Sequence, residues 1–180
     1  MRITAHDSCL LLIDIQERLF PALQDGAALA ANALWLQQVA QRIDVPVLLT
    51  EQYSKGLGST IASLRAGHAP AAIVEKLHFS AVGEGELLQR PGGERMQFVV
   101  CGCEAHVCVL QTVLDLLALG RQVFVVEEAV GSRKASDKAL ALARMQQAGA
   151  VIVSREMVAF EWLERAGSAL FRSISRDFIR

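Results

Sequence analysis

The stretch Phe98-Val-Val-Cys-Gly102 is apolar without alternation, breaks at a glycine, and resumes as an apolar segment of helical character from Val107 to Leu119, with Gly120 as its stop. A strand apolar on both faces needs cover above and below, which places it in a parallel sheet between layers of helix. Ser8 to Asp14 and Pro46 to Glu51 share this character, Ala72 to Lys76 reads as a short strand ending in a lysine, and Gln122 to Glu127 and Ala150 to Val153 read as two further strands. Helical segments separate most of them. Leu29, Ala33, Leu36, Ala40 and Ile43 recur at helical spacing, and Ala135 to Gln147, Glu156 to Leu163 and Ser168 to Phe178 also read as helices. A short helix is expected over Glu84 to Gln89, and a long loop from Gln52 to Pro70 with one helical turn near Ile61 to Leu64.

Strands alternating with crossovers define an α/β class: a three-layer α/β/α domain over residues 1–180 with a six-stranded parallel sheet, order 3-2-1-4-5-6. Such sheets bind ligands beyond the carboxyl ends of their strands, where the order reverses. Asp14, Lys76 and Cys108 fall at or just past the ends of strands one, three and four. The order sets Asp14 beside Cys108. Lys76 starts roughly 10 Å from strand one at about 4.8 Å per strand spacing, a gap a long side chain can close.

A composition of 52% hydrophobic and 21% charged residues suits a folded domain, and a formal net charge of −1 without massed lysine or arginine provides no footprint for nucleic acid or an anionic membrane. No segment reaches the roughly 20 apolar residues that span a bilayer, and no basic-then-apolar opening signals export. Cysteines at 9, 101, 103 and 108 are too clustered for a disulfide scaffold, so a reducing, cytoplasmic setting is expected. The apolar surfaces of Val107–Leu119 and Val158–Leu163 point to a homo-oligomer.

Cys108 is the expected nucleophile. A helix N-terminus and a nearby ammonium both favour thiolate, so activation is expected in the resting protein. Asp14 is placed to take and return a proton, Lys76 to hold the pair, and the turn Gly102 to Ala105 to aim N–H groups at an oxyanion. That inventory suits acyl transfer through a thioester. Cys9 and Cys101 read as structural. Two other readings stay open: a non-catalytic binding protein, and a redox-responsive pair of Cys103 with Cys108. The spacing within Cys101-Gly-Cys103-Glu-Ala-His106-Val-Cys108 is poor for zinc, and no phosphate loop is present.

Several motifs resemble those of the isochorismatase-like cysteine hydrolases. They are Leu12-Ile-Asp14-Ile-Gln-Glu-Arg-Leu-Phe20-Pro, Thr50-Glu-Gln-Tyr53-Ser-Lys-Gly-Leu-Gly58, Glu75-Lys76 with Phe79-Ser80, Gly102-Cys-Glu-Ala-His-Val-Cys108, Ala129-Val-Gly-Ser-Arg133 and Glu156-Met-Val-x-Phe-Glu-Trp162. The last four are most like the isochorismatase-domain-containing subgroup. The resemblance implies Cys108 as nucleophile, Asp14 as proton acceptor and donor, and Lys76 as the orienting cation. It also implies a cis peptide between Cys103 and Glu104, with the N–H groups of Glu104 and Cys108 as the oxyanion hole. Family nicotinamidases carry an Asp-x-His metal motif where this chain reads Glu51-Gln52-Tyr53, so neither a metal nor another cofactor is expected. Vinyl-ether-cleaving isochorismatases lack the nucleophilic cysteine, which Cys108 supplies here. The implied activity is hydrolysis of a C–N bond in a small amide or carbamoyl compound, with Phe20, Tyr53, Phe79 and His106 expected on the pocket wall.

Overall fold

A computed structural model describes residues 1–179. The first apolar run forms β1 (Ser8–Ile13), buried along its whole length. After an irregular excursion comes α1 (Gly26–Arg42), whose inner face carries Leu29, Ala33, Leu36 and Ala40, the positions that the helical period marks. β2 (Val47–Gln52) leads into two single turns, α2 (Ser54–Leu57) and α3 (Ala62–Arg65), where a loop with one turn was expected. β3 (Ile73–Lys76) is short.

The expected helix at Glu84–Gln89 is only a 3-10 turn at Leu87–Gln89. The Glu84 carboxylate turns back to accept from the N–H groups of Leu77 and His78, at 2.6 and 2.8 Å, so it closes a loop instead of starting a helix.

β4 (Gln97–Cys103) is buried throughout. A π-helical turn, Ala105–Val109, then feeds α4 (Leu110–Ala118), which stops before Gly120 at φ +76°. β5 (Gln122–Gly131) outruns the expected end at Glu127. Glu127 and Glu128 interrupt the apolar run, but a register shift between Val100 and Gly102 lets Val130 and Gly131 pair again with Gly102 and Cys103. α5 (Ala135–Gln147), β6 (Val151–Val153), α6 (Arg155–Leu163) and α7 (Ala169–Ile174) complete the order; a π-helical turn over Ser175–Ile179 takes the rest of the expected last helix.

The strands form one parallel sheet in the order β3-β2-β1-β4-β5-β6. Side chains alternate between its faces, as the pleat demands. Leu10, Leu12, Val99 and Phe124 pack with α1, α6 and α7, while Leu11, Ile13, Phe98 and Val123 pack with α4 and α5. Helix α4 presents Gln111 and Asp115 to solvent, so it is not apolar all round. Large apolar side chains stay exposed at scattered positions, among them Leu77, Leu119, Leu140, and Met157 and Phe160 of α6 with Leu170 of α7. Connections leave β1 and β4 in opposite directions, and the crevice between their carboxyl ends is where the reactive side chains meet.

Candidate active site

Asp14 follows the last residue of β1 at φ +52° and is fully buried. Its Oδ1 accepts from Thr50 Oγ1 at 2.6 Å and its Oδ2 from Lys76 Nζ at 2.7 Å. Lys76 stands on β3, two strands away, and its chain crosses the end of β2 to reach the carboxylate. On the way it donates to Gln52 Oε1 at 2.7 Å and to the carbonyls of Phe79 and His78 at 3.0 and 3.3 Å. A buried ion pair is tolerated only when its remaining hydrogen-bonding capacity is satisfied, and here neutral oxygens satisfy it. Thr50 and Gln52 were not singled out from the sequence. The register identifies them, because Thr50 pairs with Ile13 and Gln52 with Lys76.

Cys108 lies in the π-helical turn and is buried. Burial pushes its thiol up to about 12, the Asp14 charge adds to the rise, and the Lys76 charge opposes it; hydrogen bonding with both also contributes. This corrects the expected thiolate. Desolvation, with a neighbouring carboxylate adding to it, outweighs one ammonium. At neutral pH the resting group is a thiol, and its proton must leave as it attacks.

Around the thiol, the Cys103–Glu104 peptide is cis. Cys103 Sγ donates to the Asp14 carbonyl at 3.0 Å. Thr112 Oγ1 donates to the Cys108 carbonyl at 2.7 Å and accepts from the Ala81 N–H at 2.9 Å. His106 Nδ1 lies 2.9 Å from Ser132 Oγ, and Glu104 Oε1 accepts from Arg133 Nε at 2.8 Å.

The four aromatic positions are dispersed. Phe20 packs against the α1 side of the core near Gly26, Tyr53 is half exposed with its ring over Gly56, and Phe79 is half exposed beside its Lys76-binding carbonyl. A hollow of about 370 Å³ beside the end of β3 is lined by Tyr53, Ser54, Glu75, Lys76 and Glu84. A larger one, about 480 Å³, is bounded by α1, β5 and α5 and touches none of Asp14, Lys76 or Cys108; hydrogen bonds and charge, not cavity size, mark the reactive centre.

The place where a metal-binding relative would need ligands is occupied otherwise. Glu51 Oε1 accepts from Thr60 N, Thr60 Oγ1 and Arg65 Nη1 at 2.8, 2.9 and 2.6 Å, while Gln52 serves Lys76. Among the described residues no three His, Cys, Asp or Glu side chains gather as a ligand set. The donor set does not fit a metal.

All four cysteines are free. Burial raises every one: Cys9 to about 12, and Cys101 and Cys103 well above the ordinary thiol range. Unfolded thiols ionise near pH 8.5 while the folded ones keep their protons, so this stabilisation is complete below about pH 8.5 and is lost as pH rises toward the folded values. Each thiol costs about 1.4 kcal/mol per pH unit there, so four cost about 5 to 6. Urea midpoints at pH 7, 9 and 10 should therefore fall steeply above pH 9. Cys101→Ala should remove about a quarter of the slope, and a flat profile would contradict the burial.

The doubly wound sheet, with a thiol, a carboxylate and an ammonium at its switch point, defines an α/β protein of hydrolase type. An Isochorismatase domain model matches residues 8–157. The chain belongs to the isochorismatase family. It is 39% identical over 179 residues to mouse isochorismatase domain-containing protein 2A, covering 97% of this chain and 84% of that one. It is 36% identical over 180 residues to a Phytophthora sojae protein described as a secreted isochorismatase effector, covering 97% and 86%. Among solved structures, a Caenorhabditis elegans protein described as MAR1 ribonuclease superposes with a TM-score of 0.89 at 31% identity, over 100% of this chain and 93% of that one. The Escherichia coli ycaC product, an octameric hydrolase of unknown specificity, gives 0.90 at 25% identity over 99% and 91%. A Pseudomonas aeruginosa YcaC carrying covalent acrylamide gives 0.89 at 25% identity over 99% and 92%. Among the described residues no helix is long and apolar enough to cross a membrane.

Proposed function

We propose that this chain is one domain, a metal-independent cysteine hydrolase that cleaves the C–N bond of a small amide or carbamoyl compound. One observation carries it: the Asp14 carboxylate is shared between the Cys108 thiol and the Lys76 ammonium in a buried crevice. Cys108 Sγ attacks the carbonyl carbon while its proton passes to Asp14, and the oxyanion is received by the N–H groups of Glu104 and Cys108. The C–N bond breaks as Asp14 gives that proton to the departing nitrogen, leaving a thioester. Water then attacks with Asp14 as base, the C–S bond breaks, and the thiol recovers the proton. Lys76 holds the carboxylate in place.

Covalent acrylamide in the YcaC relative supports an amide-sized electrophile as ligand. The ribonuclease name of another neighbour raises RNA, but the hollow beside the site mixes Glu75 and Glu84 with Lys55 and Lys76, and a net charge of −1 without massed lysine or arginine offers no basic track for a phosphate backbone. Assembly as a homo-oligomer is part of this reading, consistent with the octameric relative and with exposed Met157, Phe160 and Leu170. A reducing, cytoplasmic setting suits four free thiols.

The test is a panel of small amides, ureas, esters and RNA offered to wild type and to Cys108→Ala. Turnover of an amide or urea with a thioester seen by mass spectrometry, both absent from the variant, is the expected result. Amide turnover that survives in Cys108→Ala, or RNA cleavage dependent on Cys108, overturns the proposal.

A further inference from the structure

Two side-chain links join the segment that carries the thiol to the chain that follows β5. Glu104 Oε1 accepts from Arg133 Nε at 2.8 Å, and the Arg133 N–H lies 3.4 Å from the same oxygen. Two residues on, His106 Nδ1 meets Ser132 Oγ at 2.9 Å, with Asp137 of α5 3.9 Å from its Nε2. Glu104 itself is buried, and its side chain is only 11% exposed while that of Arg133 is 59% exposed. An exposed ion pair adds little stability. Here the pair instead holds a buried carboxylate whose own backbone N–H is one of the two proposed oxyanion donors, so a slack tether moves the donor.

We infer that Arg133 is a positioning residue that sets the Glu104 N–H for oxyanion stabilisation, without touching substrate or thiol. The inference rests on the function proposed above. It predicts a separation between two reactions of the same sulfur. Acylation by p-nitrophenyl acetate forms the C–S bond, expels p-nitrophenolate and sends the thiol proton to Asp14, and it passes through an oxyanion. Alkylation by iodoacetamide displaces iodide from an sp³ carbon and builds no such charge. Only the first should depend on Arg133.

The experiment measures both rates in wild type, Arg133→Gln and Arg133→Lys. Removing an oxyanion donor outright costs about 10² to 10³ in rate, so loosening one should cost about tenfold. The expected result is that acylation falls about tenfold in Arg133→Gln while alkylation stays within twofold, with partial recovery in Arg133→Lys. Equal losses in both reactions, or no loss in either, overturn the role of Arg133. Wild-type protein that is alkylated at Cys108 but never acylated overturns the proposed function and this role with it.

Discussion

Asp14→Asn is expected to make Cys108 easier to alkylate and yet abolish turnover. Burial raises the thiol's pKa most, the Asp14 charge adds to the rise and the Lys76 charge lowers it, so removing the carboxylate leaves burial alone against the ammonium and the pKa falls part of the way. The iodoacetamide profile of Cys108 should shift to lower pH. Hydrolysis nevertheless needs a group that accepts the thiol proton and hands it to the leaving nitrogen, and an amide does neither. General acid–base assistance contributes about 10² to 10⁴ in rate, so kcat should fall by that factor. Asparagine keeps the shape and an oxygen for Lys76, whose other acceptors Gln52, His78 and Phe79 are neutral, and its NH₂ group can donate to the Thr50 hydroxyl in place of the bond the carboxylate accepted. A variant whose thiol alkylates only at higher pH, or which turns over at the wild-type rate, would show that Asp14 is not the base.

Gly102→Ala should fail on structural grounds. Gly102 sits at φ +130° in β4 opposite Ile13, and a Cβ there would fall 2.1 Å from the Ile13 carbonyl oxygen and 2.6 Å from its nitrogen. Both are main-chain atoms of a buried central strand, so neither can swing aside. The conformation alone excludes side chains, and the contact adds displacement of β1 from β4. We expect a loss of more than about 4 kcal/mol, or about 10 °C or more in Tm, read by thermal unfolding of whatever soluble protein is obtained. Because Ile13 precedes Asp14, residual folded protein should also lose thiol reactivity toward esters. Wild-type stability in this variant would mean that β1 and β4 do not pair as described.

These effects show where a linear reading works and where it stops. The uninterrupted apolar runs ending in Asp14 and Gly102 specify strands buried on both faces, the shorter run ending in Lys76 specifies an edge strand, and the crossover rules then order them. Once the order is known, the reactive side chains have addresses. What linear reading misses is set by pairing and by the medium. Glu127 and Glu128 look like the end of a strand because nothing in their chemistry announces the register shift that lets β5 resume. Arg133 and Thr50 matter only through partners distant in sequence. The ionisation of Cys108 escapes linear reading because a helix N-terminus is a local feature, whereas desolvation and the Asp14 charge come from other parts of the fold. Glu104–Arg133 had a visible trace in Ala129-Val-Gly-Ser-Arg133, but its role required contact.

The Thr112 hydroxyl has a mechanical consequence. By giving its proton to the Cys108 carbonyl and taking one from the Ala81 amide, it couples the nucleophile's helix to the loop whose His78 and Phe79 carbonyls grip Lys76. A single hydroxyl thus ties the main chain at the sulfur to the loop that grips the ammonium, so Thr112→Val should loosen both at once.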